Sequence, residues 1–350
     1  MSASFKIGHR DVGVDHPPFV IAEMSGNHNQ SLDRALSIVD AAATAGAHAI
    51  KLQTYTADTM TVDIADGEFF IDDPNSLWKG SSLHSLYQKA YTPWDWHEPI
   101  MRRAEAMGML CFSTPFDDTA VDFLEGLKVP CHKIASFENT DHNLVRKVAA
   151  TGKPMIVSTG MASIAEIDET VQVARRAGCN HIVLLKCTST YPATPENSHV
   201  RTIPHLREMF GCEVGLSDHT MGMGAAVAAI ALGASVIEKH FTLSRADGGV
   251  DSAFSMEPEE MRALVTESER AWQSLGQIRY GASPQELPSL RFRRSIYVVK
   301  NLEPGDVLTR ENLRCIRPGL GLPPKYYEML LGRKVRGAVK KGTPVTWDLV

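Results

Sequence analysis

A three-part unit recurs through roughly the first 280 residues of the chain: an Ala-rich amphipathic helix, a glycine that stops it, and an apolar β-branched run ending in a polar cluster. Residues 34–45, Gly46 and 48–53 form one copy, and 100–107, Gly108 and 109–113 another. Residues 143–151, Gly152 and 154–158 follow, then 164–177, Gly178 and 181–187. A glycine there supplies the left-handed backbone that closes a helix C-terminus. Adding Phe19–Glu23, 131–136, Glu213–Ser217 and 235–240 gives eight apolar strands, and 256–275 reads as a last long helix. Eight such strands alternating with helices predict a (β/α)8 TIM barrel. The competing open doubly wound sheet lacks its usual companion, a GxGxxG turn after the first strand.

The barrel does not use the whole chain. After Gly276, residues 281–290 hold two prolines and show neither helix nor strand period, which reads as a linker of about 30 Å if extended. The remainder, 291–350, carries two similar stretches, 300–313 and 339–350, each placing Thr four residues after Gly. This predicts a small, turn-rich β domain built on a pseudo-repeat, so the chain divides into a barrel at 1–280, a linker and a C-terminal domain. Within the barrel, the loop after the second strand runs from Tyr55 to about Trp94 and carries Trp78, Tyr87, Tyr91 and Trp94. A loop of that length on a catalytic face is commonly functional, although its aromatics also suit packing.

Charge and cysteine usage narrow the setting. A net charge of -5 offers no basic patch for nucleic acid. Six cysteines without a CxxC pair suit a reducing cytosol better than a disulfide framework or a zinc ribbon. Residues 1–13 lack the apolar core of a signal peptide, and the uncharged run 220–237 is interrupted by Gly233 and ends in Glu238, Lys239 and His240. A cytoplasmic protein without a membrane segment is expected.

In a parallel barrel the residues at successive strand ends share one mouth. Here they are Glu23; Lys51 and Gln53; Ser113 and Thr114; Lys133 and Ser136; Ser158 and Thr159; Lys186, Thr188 and Ser189; Ser217 and His219; Glu238, Lys239 and His240. His219 and His240, at matching positions on adjacent strands, suit a shared divalent metal. Hydroxyls with lysines are what a phosphate needs, several donors and a point charge. A metal beside them polarises a carbonyl oxygen, and Glu23 is a candidate acid or base. Phosphate, carbonyl and metal together point to carbon–carbon chemistry on a phosphorylated small molecule.

The segments EMSGNHNQ (23–30), KLQTY (51–55), FSTPFD (112–117), HKIAS (132–136), STGMA (158–162), KCTSTYP (186–192), GLSDHT (215–220), IEKHFTL (237–243) and IRPGLGLPPKYY (316–327) together resemble the sialic acid synthases. The resemblance runs in order over nearly the whole chain, tail included. It implies a barrel joined to an antifreeze-like domain and the condensation of phosphoenolpyruvate with an N-acetylated amino sugar in its aldehyde form. Carried over residue by residue, it implies metal ligation by His219 and His240, with manganese first and magnesium or cobalt as alternatives. It implies phosphoenolpyruvate contacts from Lys51, Thr114, Lys133, Ser136, Ser158, Ser189 and Ser217, and acid–base work by Glu23. Gln53, Tyr191 and Asp251 match sugar contacts. Arg317 matches an arginine that the antifreeze-like domain gives to the other subunit of a domain-swapped homodimer. Ser189 departs from the N-acetylneuraminate enzymes, which usually carry Asn there.

SFENTD (136–141) and RADGGVDSAFSMEP (245–258) look most like the pseudaminic acid synthases within that family. The implied acceptor is 2,4-diacetamido-2,4,6-trideoxy-L-altrose, with Phe137 and Phe254 as candidate apolar contacts; N-acetylneuraminate and legionaminic acid acceptors are the alternatives. Two other classes compete. A Schiff-base aldolase would use Lys133 or Lys186, but the hydroxyls around Lys133 favour a phosphate clamp over the apolar pocket such a lysine needs. A non-catalytic glycan-binding module would leave the strand-end residues without work.

Overall fold

A computed structural model describes residues 4–74 and 76–350. The chain forms two compact units, Met1–Gly276 and Gln277–Val350.

The first unit opens with an antiparallel hairpin, β1 Phe5–Ile7 and β2 Arg10–Val12. Eight parallel strands follow: β3 Phe19–Glu23, β4 Ala49–Thr54, β5 Leu110–Pro115, β6 His132–Ile134, β7 Met155–Ser158, β8 Ile182–Cys187, β9 Glu213–Ser217 and β10 Val236–His240. They close in sequence order, with β10 pairing β3. The expected eight-stranded barrel is therefore the observed one. The glycines at 46, 108, 152 and 178 end their helices with φ between 73° and 103°. Two connecting helices, Asp118–Gly126 and Thr202–Phe210, had no counterpart in the sequence reading, and β6 is shorter than the run 131–136, which leaves Ser136 in the turn beyond it.

Successive strand residues face opposite ways, so each strand feeds two separate cores. Val20, Ala22, Ile50, Leu52, Val157, Leu184, Val214 and Ile237 pack outward against helix residues such as Ala35, Ile38, Val145 and Val171. Phe19, Ile21, Ala49, Phe112, Ile156, Val183, Leu185 and Val236 fill the barrel, and Phe5, Ile7 and Val12 of the hairpin pack into that same cluster. The interior is tight. A Cβ at Gly215 would lie 2.2 Å from the Val236 carbonyl oxygen and 2.7 Å from Leu185 Cδ2, so only glycine fits there.

The second unit has its own core of Ile296, Val298, Leu302, Leu308, Leu313, Leu330, Val335, Val339 and Val345. β11 Ser295–Val298 and β12 Leu313–Ile316 pair antiparallel. Leu302 and Val339, one from each similar stretch, exchange backbone hydrogen bonds at 2.9 Å, and Gly305 and Gly342 make matching turns with φ of 92° and 90°. The stretch read as a linker without helix differs at its end: Leu287–Phe292 forms a short 3-10 helix, with Pro288 in its first turn.

No helix among the described residues is long and apolar enough to cross a membrane. None of the cysteines is in a disulfide.

Candidate active site

The alternation of the strands sorts the strand-end residues. Glu23 lies on the inward face with Ile21, Lys51 and Gln53 with Ala49, Thr114 with Phe112, Ser158 with Ile156, and Glu238 and His240 with Val236. Five members of the expected shared set fall elsewhere and are corrected here. Thr159 and Thr188, just past their strands, spend their hydroxyls on the carbonyls of Leu185 and Asn197. The other three are on the outer face. Ser113 is hydrogen-bonded at 2.6 Å to Thr54, which in turn meets His97 Nε2 at 2.7 Å. Lys186 Nζ donates to the Cys187 carbonyl and to Thr188. Lys239 Nζ bonds Asp218 and the carbonyls of Thr220 and Gly222, fixing the turn that carries His219. Register also places Cys187 inward, level with Ser217.

A charged cluster occupies the inward face. Lys51 Nζ lies 2.6 Å from Glu23 Oε2, 3.4 Å from Glu238 Oε1 and 3.2 Å from Thr114 Oγ1. Lys133 Nζ donates to Ser158 Oγ at 2.8 Å and sits 3.7 Å from Glu238 Oε1. Ser217 Oγ donates to the same oxygen at 3.2 Å. Gln53 holds Glu23 through a 3.0 Å bond to Oε1. Burial pushes the Glu23 carboxyl up to about 7 against the pull of Lys51, while Glu238, between two ammonium groups, stays below the usual range despite its burial. Burial lowers Lys133; in Lys51 the two carboxylates overcome it and raise the group. Ser136 and Ser189 join at 2.8 Å, and Gly160 in the STGMA turn makes room for them. Its φ is 50°, and a Cβ would lie 2.5 Å from Ser136 Cβ and 3.0 Å from Ser189 Oγ.

His219 and His240 face each other with ring centroids 5.4 Å apart. His219 Nδ1 lies 2.9 Å from the Thr188 carbonyl. A carbonyl only accepts, so Nδ1 carries a proton. His240 Nδ1 is buried without a hydrogen-bond partner, 3.8 Å from Asp251 Oδ2. Burial, then the neighbouring His219, holds His240 well below its ordinary value and so neutral. Burial would lower the His219 imidazole, but Cys187 beside it raises it above its ordinary value. Two imidazoles this close, one of them with an unpartnered nitrogen, fit a divalent ion. No group of three or more His, Cys, Asp or Glu side chains among the described residues has metal-binding geometry, so substrate and water would complete the shell. Burial alone would raise the Cys187 thiol, but His219 beside it and Lys133 bring it down to about 7.

Above this floor opens a cavity of about 450 Å³, lined by Gln53, Ser136, Ser189, Tyr191, His240 and Asp251 among others. Asp251 is tied by a short hydrogen bond to Ser25 on the loop after β3. Tyr191 packs 4.5 Å from His219. The two phenylalanines part ways. Phe254, 2% exposed, packs against Tyr191 and both histidines, whereas Phe137 lines the cavity and is 61% exposed. The long loop splits likewise: Trp78 and Tyr87 line the cavity, while Trp94 packs on Phe123 at 4.6 Å. Arg317 belongs to the second unit and is exposed.

Three features escaped the sequence reading. Glu138 lines the cavity and burial pushes its carboxyl up to about 7, against Lys133. Cys187 lies beside His219, a position that period-two counting from Leu185 would have found. Ser25 and Asp251 stand 226 positions apart, and no local pattern links them.

A model of the NeuB family matches residues 38–280, and a SAF domain model matches 293–350. A pseudaminic acid synthase of Campylobacter jejuni is 42% identical over 94% of this chain and 95% of its own. An N,N'-diacetyllegionaminic acid synthase of Legionella pneumophila is 33% identical over 99% of both. Among solved structures, the N-acetylneuraminic acid synthetase of Leptospira borgpetersenii in complex with citrate superposes with a TM-score of 0.74 at 30% identity, covering 84% of this chain and 97% of its own.

Proposed function

The chain belongs to the NeuB family, and from that premise we propose that it joins phosphoenolpyruvate, 2,4-diacetamido-2,4,6-trideoxy-L-altrose and water into pseudaminic acid, releasing phosphate. The observation that carries this reading is the meeting of two lysines, a ring of hydroxyls and two adjacent imidazoles at one end of a closed barrel.

Lys51 and Lys133, with Thr114, Ser136, Ser158, Ser189 and Ser217, offer the ammonium groups and hydroxyl donors that the phosphate and carboxylate of phosphoenolpyruvate require. Gln53, Tyr191 and Asp251 face the space left for the sugar. As the methylene carbon of phosphoenolpyruvate bonds to the aldehyde carbon, the aldehyde oxygen gains a proton. Water then adds at the enol carbon and phosphate leaves. Glu23, with a carboxyl near neutrality, is suited to give the first proton and to take one from water. A divalent ion, manganese first, held by His219 and His240 would polarise the aldehyde oxygen. Burial of the cluster keeps bulk water from the intermediate.

The assignment of acceptor follows the higher identity to the pseudaminic acid enzyme than to the legionaminic acid one. We further propose that a homodimer is the active unit, with Arg317 of each chain reaching the sugar site of the other, and that it works in the cytosol, where the unpaired thiols would persist. The deciding experiment compares the diacetamido-trideoxy-altrose with N-acetylmannosamine, each with phosphoenolpyruvate and manganese. The trideoxy sugar should give the higher kcat/KM, and chelator should abolish turnover. A preference for N-acetylmannosamine overturns the acceptor assignment.

A further inference from the structure

The cavity has two unlike halves. One is polar; the other is a wall from the long segment after β4, which contributes the five side chains of Met60, Ile71, Trp78, Leu83 and Leu86 together with Tyr87 and Ala90. Each of the five is only half-buried, and none belongs to the apolar clusters that make up the cores. Core packing therefore does not account for them. Their one N–H donor is already paired: the Trp78 indole N–H donates to the Val250 carbonyl at 3.0 Å, fastening the wall to the segment that carries Asp251. The wall is also fixed within itself. Ile71 exchanges backbone bonds with Gly80 and Ser81, at 2.8 and 3.0 Å. Buried His84, on the helix Leu83–Ala90, reaches Asp58 on the helix Ala57–Met60 at 2.9 Å. Leu83 and Leu86, three apart, share one face of their helix.

We propose that this wall is the specificity-determining subsite for the acceptor, receiving the methyl groups at the end of the sugar remote from its aldehyde: the 6-deoxy carbon and an acetamido methyl. The inference rests on the acceptor class proposed above and adds the residues that select it. A methyl group laid on this wall leaves water without loss. A hydroxyl laid against these five side chains gives up its water and finds no partner among them, the Trp78 N–H being taken by the Val250 carbonyl. Apolar pockets of this kind discriminate by roughly 10–100-fold per group.

The test measures kcat/KM for the trideoxy sugar and for N-acetylmannosamine with wild type, Leu86→Asn and Ile71→Asn, together with the KM for phosphoenolpyruvate and a thermal melt. Met60→Gln, nearly isosteric, stands in if either asparagine variant fails to fold. The ratio of the two specificity constants should fall about 10-fold in each variant, while the KM for phosphoenolpyruvate stays at the wild-type value. A wild-type preference for the trideoxy sugar that persists undiminished in folded variants overturns the subsite alone. A wild-type preference for N-acetylmannosamine overturns the acceptor assignment and the subsite with it.

Discussion

Lys51 and Lys133 stand two strands apart and share one carboxylate oxygen: Glu238 Oε1 is 3.4 Å from the first ammonium and 3.7 Å from the second. All three side chains are buried. An anionic substrate that engages the lysines competes with this carboxylate, so Glu238 sets the charge balance of the ligand-free site.

Glu238→Gln removes that competitor and leaves the two ammonium groups with only Glu23 between them. Breaking a buried ion pair from one side costs about 3–5 kcal/mol. The variant should melt below wild type in plain buffer, and added phosphate or phosphoenolpyruvate should raise its melting temperature by more than it raises that of wild type. Thermal melts with and without the anion check this. A variant as stable as wild type without anion, or one that gains no more from it, rules out the balancing role.

Glu138 gives a pH signature in stability. Its carboxyl titrates near 7 in the folded chain, against 4.5 as its ordinary value, with burial as the main cause. Between those values the folded state holds a proton that the unfolded state has released. Stability from this group therefore falls as pH rises from about 4.5 to 7, and the full loss persists above that. Glu138→Gln cannot ionise and escapes it. Denaturant unfolding should show the variant more stable than wild type by roughly 1–3 kcal/mol at pH 8, with the gap closing at pH 4. A gap that is constant or reversed across that range contradicts the buried-carboxyl account.

The barrel was legible because parallel strands covered on both faces read as apolar runs, and because glycines such as Gly46 and Gly178 mark where helices stop. Elements without those signals were missed. The strands of the N-terminal hairpin are three residues each, too short to show a period, and the helix Thr202–Phe210 carries Pro204 inside its first turn. At the site, residue types and spacing located the strand ends but were read without their alternation. That is why Ser113, Lys186 and Lys239 were placed in the mouth although their register turns them to the outer face. The cavity wall was out of reach for another reason. Met60, Ile71 and Leu86 become one surface only after the long segment folds back over the barrel.

The histidine pair makes a prediction about metal. His219 is oriented by the Thr188 carbonyl, and His240 has a buried nitrogen with no other use. His219→Ala and His240→Ala should each lose manganese binding in calorimetric titration and lose the activity that manganese restores to chelator-treated wild type, while keeping the wild-type circular dichroism spectrum. Full turnover by either variant in chelator-containing buffer disproves ligation by the pair.

The last prediction concerns sharing of sites between two copies of the chain. Arg317 is exposed, and its guanidinium makes no hydrogen bond or ion pair among the described residues. Its turn is nevertheless stiff. Ser295 Oγ donates to the Pro318 carbonyl at 2.7 Å, Gly319 N–H donates to the Arg291 carbonyl at 2.8 Å, and a Cβ at Gly319 would lie 3.0 Å from the Leu290 carbonyl oxygen. An unpaired guanidinium on a fixed turn suits recognition better than surface solubility. If Arg317 serves the site of a partner, co-expressed Arg317→Ala and His240→Ala chains should regain activity that neither has alone. One site in each hybrid would combine an intact histidine pair with an intact arginine, and random pairing of two chain types in a two-fold dimer predicts about a quarter of wild-type turnover. Native mass spectrometry establishes that hybrids form. Hybrids that form and stay inactive refute the shared site, and so does normal turnover by a chain ending at Gly276.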